Sequence, residues 1–256
     1  MRRARERAFG TVIFDCDSTL STVEGIEELS AGHREEVEAL TRAVMHGEIR
    51  LEEVYARRLE LARPDRAAVQ ALGRRYVEHM VADAPEVVAA LRDAGVVVRV
   101  LSGGLLPAVR VLAAELGIAA PDVAAVAVRF GDDGSYAGFD AASPLARAGG
   151  KAEVVRTWRP TLRPPVMLVG DGMTDLEAQA VVDLFVAFAG VKDREPVTSA
   201  ADVVVRAPSL APVLSLALGN DGPRGAAYDR GQAFIEDGMV TFTSRSAHIE
   251  AALTGG

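Results

Sequence analysis

Asp15 and Asp17 flank a single residue in Asp15-Cys16-Asp17-Ser18-Thr19, which follows directly on the short apolar run Thr11 to Phe14. Two more polar clusters follow apolar runs in the same way: Ser102-Gly103-Gly104 after Val96 to Leu101, and Gly170-Asp171-Gly172-Met173-Thr174-Asp175 after Val166 to Val169. Brought together, they would offer four carboxylates, a hydroxyl and amides left open by glycine. Carboxylates that close cannot all stay ionised without a cation, and hard oxygen donors in this number suit Mg2+. Plainer readings exist. Aspartates after a strand often cap the next helix, although a pair bracketing one residue fits that poorly, and Ser102 taken alone reads best as an N-cap. Leu101-Ser102-Gly103-Gly104 does not match the G-x-S-x-G elbow of hydrolases.

Of 28 basic side chains only Lys151 and Lys192 are lysines. Where arginine is the default cation, a retained lysine points to a compact charge on a flexible stem, and Lys151 stands directly after Gly149-Gly150. Cys16 is the sole cysteine, which excludes an internal disulfide and suits a reducing compartment; it reads as a small core residue. His33, His46, His79 and His248 are too scattered for a ligand set or a triad.

Strand-like runs that each end in a polar cluster need a scaffold that gathers their ends. Past Pro85 the pattern alternates: a helix to Ala94, a turn at Gly95, a strand Val96 to Leu101 and a helix toward Leu116. A helix opening at Lys151 and strands at Val166 to Val169, Leu184 to Phe188 and Val203 to Val205 continue it. Such alternation implies right-handed βαβ units and an α/β fold built on a doubly wound parallel sheet, where ligands bind at the carboxyl ends of the strands. Val123 to Phe130 and Ser135 to Phe139, either side of Gly131-Asp132-Asp133-Gly134, read as a small hairpin.

From about Ser21 to Ala84 the texture is different. Val37, Leu40, Thr41 and Val44 recur at helical spacing, as do Leu51, Val54, Tyr55, Leu59 and Ala62, with Pro64 and Pro85 as breaks. The expected layout is a core of residues 1–20 and 85–218, a helical cap of residues 21–84 inserted after the first strand, and an extension of residues 219–256 with no assigned role. In that extension, Ala233-Phe234-Ile235 and Met239 to Thr243 around Glu236-Asp237-Gly238 predict a hairpin or a short packed element.

Hydrophobic residues make up 49% of the 256 and charged residues 25%, which argues against disorder. The 28 basic and 36 acidic side chains leave a net charge of −8, so no basic field invites nucleic acid or an anionic membrane. The longest apolar runs fall short of the roughly 18 residues that span a bilayer. The arginines of Met1-Arg2-Arg3-Ala4-Arg5-Glu6-Arg7 read as a solvated tail, because Asp15 interrupts the apolar stretch from Phe9 too soon for a signal sequence. The expectation is a cytoplasmic protein acting on a small molecule, with homodimerisation left open.

The ordered set Asp15-x-Asp17-x-Thr19, Ser102, Lys151 and Gly170-Asp171-x-x-x-Asp175 resembles the haloacid-dehalogenase-like phosphatases. Within that group the likeness is greatest to the phosphoserine phosphatase branch, through Glu24-Gly25-Ile26-Glu27-Glu28-Leu29, Thr41-Arg42-Ala43-Val44-Met45, Tyr136-Ala137-Gly138-Phe139-Asp140 and Gly149-Gly150-Lys151. It runs from about Phe9 to Leu214. The resemblance implies a Rossmann-like core with a cap after the first motif and a Mg2+-dependent phosphomonoesterase acting on O-phospho-L-serine, the last step of serine synthesis. Alternatives are the same chemistry on another small phosphate, phosphoryl transfer to an alcohol, or a silent phosphate-binding protein.

By that resemblance Asp15 is the nucleophile and Asp17 the general acid and base. Asp15, the Asp17 backbone carbonyl and Asp171 hold the metal, with Asp175 ligating it or supporting a ligand. Ser102, the Gly103 amide and Lys151 bind the phosphoryl group, and Thr174 joins the substrate site. Glu24 takes the substrate ammonium, Arg58 the carboxylate, and Met45 and Leu51 surround the methylene. Independently, Ser21-x-x-Glu24 matches a capping box, and Arg58 lies near the apolar face of its helix while Arg57 points away. Leu51 departs from the family, which usually carries phenylalanine there, so the pocket is expected to be roomier.

Overall fold

The computed structural model describes residues 9–33, 35–37, 39–40, 51–219, 225–244, 246–247 and 249. The chain enters through β1 (Thr11–Phe14), whose four side chains are all buried. Val12 and Phe14 belong to one apolar cluster and Ile13 to the other, so the strand alternates between two covered faces. Near-continuous β-branched and apolar sequence is what a parallel sheet with helices on both faces requires.

After β1 come α1 (Gly25–Leu29), α2 (Leu51–Ala62) and α3 (Arg66–Glu78), the latter capped by Asp65, whose carboxylate accepts from the Ala68 amide at 2.7 Å. Then α4 (Ala84–Asp93), with Pro85 in its first turn, leads into β2 (Val97–Leu105), α5 (Leu106–Glu115) and β3 (Val123–Val126). A two-stranded ribbon follows, β4 (Val128–Phe130) and β5 (Tyr136–Phe139). The chain continues through α6 (Gly150–Trp158), β6 (Val166–Gly170), α7 (Met173–Leu176), β7 (Leu184–Phe188), α8 (Glu195–Thr198) and β8 (Val203–Val205). Last come α9 (Ala211–Leu218), α10 (Ala226–Glu236) and β9 (Val240–Phe242).

The main sheet has the order β3-β2-β1-β6-β7-β8-β9, parallel except for the β8–β9 pair. The chain runs outward from β1 through β2 to β3, then returns to place β6 on the other side of β1. That reversal opens a crevice at the carboxyl end of β1. Phe14 is level with Val100 and Val169, so Asp15 emerges beside the end of β6 and the middle of β2, which runs on to Leu105.

The helices between residues 21 and 84 lie against the core. Val69, Leu72 and Tyr76 of α3 share an apolar cluster with Ala108, Val109 and Leu112 of α5. The ribbon packs against these helices as well: Tyr55 meets Phe139 edge to face at 5.4 Å, and Arg66 lies over the Phe130 ring at 5.1 Å.

Two sequence readings are corrected. The run Val123 to Phe130 is not one hairpin strand: β3 joins the main sheet beside β2, and only β4 pairs with β5. Hydrophobicity is continuous across the switch and gives no sign of it. The Asp237-Gly238 turn ends a helix and does not join two strands. Gly238 at φ 73° donates to Ile235 O at 3.1 Å while Met239 N reaches Phe234 O at 3.0 Å, a Schellman arrangement. An Asp-Gly pair serves a hairpin and a helix end equally well, because both need a positive φ.

Gly231 of α10 lies so close to α9 that an added Cβ would come 2.3 Å from Ala211 O. Gly231→Ala gains about 1 kcal/mol in helix propensity but must displace a backbone carbonyl of a buried helix. The expected result is a net loss of about 1–3 kcal/mol, read as a lower melting temperature; a rise would show that the two helices can separate at no cost.

Candidate active site

Asp15 is buried and leaves the sheet with its amide still bonded to Val169 O at 2.9 Å. Its Oδ1 accepts from the Cys16 amide at 2.7 Å and its Oδ2 pairs with Lys151 Nζ at 2.9 Å. The same Nζ donates to Asp175 Oδ1 at 2.7 Å, and Asp175 Oδ2 accepts from the Gly172 amide at 3.2 Å. Lys151 and Asp175 are both buried. Burial alone would lower the lysine's pKa, but the Asp15 and Asp175 carboxylates outweigh it and hold the ammonium charged well above its ordinary range. Gly170 makes room for this: a Cβ there would lie 2.2 Å from Asp175 Cγ.

One carboxylate oxygen from each of Asp15, Asp171 and Asp175 falls within 4.8 Å of the others. Burial, followed by the charge of Asp15, pushes the Asp171 carboxyl up to about 6 even though Arg194 opposes it. Crowded, buried, hard oxygen donors whose ionisation is mutually disfavoured are a fit for a divalent cation. The Asp17 side chain is not among them. Its Oδ1 accepts the Tyr76 hydroxyl and its Oδ2 the Gly25 amide at 3.3 Å. Burial and the neighbouring Asp15 push the Asp17 carboxyl up to about 8, which favours its protonated form.

Ser102 is buried inside β2, and its Oγ accepts from the Gly104 amide at 3.0 Å. The N-cap reading is thereby overturned, since α5 starts only at Leu106. A cavity of about 130 Å³ is lined by Tyr55, Gly103, Leu145, Arg147, Lys151 and Thr174, among others. Tyr55 reaches from α2 to donate to Gly103 O at 2.9 Å, joining cap to core. Arg58 is half-buried one turn further along α2, on the side of Tyr55, whereas Arg57 is exposed. The Leu51 side chain and the whole of Met45 lie outside the described residues.

The capping box is not formed. Glu24 itself precedes α1, and its carboxylate turns away to accept from Ser18 Oγ at 2.7 Å and Arg194 Nη2 at 2.7 Å. Ser21 Oγ instead donates to His79 O at 3.1 Å. Sequence reasoning also passed over Tyr55, Tyr76, Lys192 and Arg194. Lys192, whose Nζ is 3.0 Å from Glu24 Oε1, carried the same signal as Lys151, namely lysine in an arginine-rich chain. Arg194, whose Nε donates to Asp171 Oδ2 at 2.8 Å, carried none among so many arginines.

Residues 12–179 match the model of the haloacid dehalogenase-like hydrolases. Phosphoserine phosphatase of Bos taurus is 35% identical over 194 residues, which is 75% of this chain and 86% of the relative. Among solved structures, a phosphoserine phosphohydrolase-like protein from Francisella tularensis subsp. tularensis SCHU S4 superposes with a TM-score of 0.69 at 25% identity, covering 80% of this chain and 98% of that one. A phospho-aspartyl intermediate analogue of phosphoserine phosphatase gives a TM-score of 0.65 at 26% identity, covering 80% and 97%. No described helix is long and apolar enough to cross a membrane.

If the three carboxylates take a divalent cation, the cation stabilises the native state by mass action, by about 2.7 kcal/mol at a hundred times its Kd. Adding Mg2+ after EDTA treatment is expected to raise the melting temperature, and Asp171→Asn to abolish most of that rise. An undiminished rise in the variant would place cation binding elsewhere.

Proposed function

The chain belongs to the haloacid dehalogenase-like hydrolases, and from that premise we propose that it hydrolyses O-phospho-L-serine to L-serine and phosphate through an aspartyl phosphate, the closing step of serine synthesis. The observation that carries the reading is geometric: the Asp15 carboxylate, paired with Lys151 Nζ at 2.9 Å, stands two residues from Asp17, whose carboxyl is pushed up to about 8 by burial and by Asp15. Relatives named phosphoserine phosphatase support the substrate.

In the first half-reaction an Asp15 carboxylate oxygen attacks phosphorus as the bond to the serine oxygen breaks, and Asp17 delivers its proton to that departing oxygen. In the second, Asp17, now ionised, takes a proton from the water that attacks the phosphorus. The P–O bond to Asp15 breaks and inorganic phosphate is released. Tyr76 and the Gly25 amide orient the Asp17 carboxyl for both transfers. Lys151, Ser102 and the Gly103 amide bind the phosphoryl oxygens, and the buried ammonium favours the extra charge that gathers there.

Mg2+ is the cation proposed for Asp15, Asp171 and the Asp17 carbonyl, with Asp175 beside them, and when bound it supplies positive charge between the carboxylates and the phosphoryl group. Glu24 is assigned to the substrate ammonium and Arg58 to its carboxylate, with Thr174 joining the substrate site. Met45 and Leu51 are assigned to its methylene surroundings. The cap of residues 21–84 excludes water and reads the leaving group over a core of residues 1–20 and 85–218.

Asp15→Asn is expected to abolish turnover without unfolding, because an amide is a poor nucleophile of nearly the same shape; substantial residual activity by phosphate release would remove Asp15 from that role. Arg58→Ala is expected to raise KM for phosphoserine about thirtyfold, the loss of a charge-assisted pair of about 2 kcal/mol. Phosphoethanolamine has no carboxylate, so its kcat/KM should barely change. An equal loss for both substrates would make Arg58 a structural part of the cap.

A further inference from the structure

Glu24 Oε1 faces three donors: Ser18 Oγ at 2.7 Å, Arg194 Nη2 at 2.7 Å and Lys192 Nζ at 3.0 Å. A carboxylate has roughly two lone-pair sites on each oxygen, so three donors on one oxygen are more than it serves well. The three are not equivalent. Ser18 is fully buried, and Arg194 is anchored through its Nε to Asp171 at 2.8 Å. Lys192 has the longest contact and a second carboxylate within reach, Glu27 Oε2 at 3.6 Å. Its flexible stem lets the ammonium move from Glu24 toward Glu27 without losing an ion pair. Lys192 is therefore the partner that Glu24 can give up most easily.

We infer that Lys192 is a built-in stand-in for the substrate ammonium, holding Glu24 between turnovers and yielding it to phosphoserine by moving onto Glu27. The inference rests on the assignment of Glu24 to the substrate ammonium made above. Both groups are primary ammonium ions, so they compete for the same carboxylate, whereas a phosphoester without an ammonium leaves Lys192 in place. Binding of phosphoserine thus includes breaking the Lys192 contact with Glu24, and Lys192 lowers the enzyme's preference for phosphoserine over esters that lack an ammonium. Ser18 and Arg194 keep Glu24 oriented in either case.

The test is the ratio of kcat/KM for phosphoserine to that for phosphoglycolate, which has the phosphate and carboxylate but no ammonium. Lys192→Met is expected to raise this ratio about two- to fivefold, the range of a partly exposed ion pair, through KM more than kcat, with Lys192→Gln giving the same direction. Glu27→Gln removes the alternative partner and is expected to lower the ratio. In the Lys192→Met background Glu27→Gln should no longer change it, a loss of effect that damage to the cap would not produce. A ratio that is unchanged or lower in Lys192→Met overturns the inference. Glu24→Gln separates that failure from failure of the premise: if its ratio equals that of the unaltered protein, Glu24 does not read the ammonium at all.

Discussion

A buried ammonium shared by two buried carboxylates fixes the arrangement of everything around it. Lys151 lies at the start of α6, Asp15 at the end of β1 and Asp175 in α7, so three separate segments must converge within hydrogen-bond distance. Removing Lys151 from this buried set would leave two carboxylates uncompensated, which costs about 3–5 kcal/mol. The sheet provides the convergence, since β1 and β6 are neighbours and their parallel register brings Asp15 level with Gly170. The same geometry holds the Asp15 carboxylate against Lys151 where the strand order reverses.

The polarity of Asp17 follows from that centre. It sits two residues from Asp15 and gains no share of Lys151, so burial and the charge of Asp15 both favour its protonated form. One short loop thereby carries two carboxyl groups in different surroundings, one paired with a buried lysine and one pushed toward its protonated form by burial.

The ends of β1 and β6 and their polar clusters were legible because a parallel sheet buries whole runs that stop where the chain turns polar, whereas Ser102-Gly103-Gly104 lies inside β2, which runs on to Leu105. Lys151 was legible because arginine is the common cation of this chain. What stayed hidden depends on contacts between segments distant in sequence. Tyr76 lies on α3, far along the chain from Asp17, and nothing in the spacing of an apolar helix face marks one tyrosine as a hydrogen-bond donor. Arg194 was one arginine of many. The division of Val123 to Phe130 between two sheets and the ambiguous Asp237-Gly238 turn failed for a related reason: local pattern was compatible with both outcomes, and only packing chose.

The segment beyond residue 219 shows how packing at a distance bears on the site. The two linkers of the cap run side by side, with Thr22 N bonded to His79 O at 2.9 Å and Val81 N to Leu20 O at 3.0 Å. The returning linker is tied in turn to the loop before α9, through Leu210 N and Ala82 O at 3.0 Å. It ends at Asp83, a non-glycine residue at φ 65°, a conformation that persists only where the surroundings hold it. Those surroundings include Ser209, whose hydroxyl donates to Asp83, and Arg230 of α10, which pairs with it. Asp83 therefore cannot cap α4 with its side chain, and spends that carboxylate on joining the cap's return path to the C-terminal helix. These contacts tie residues 20–22 and 79–83 to one another and to the C-terminal helix α10.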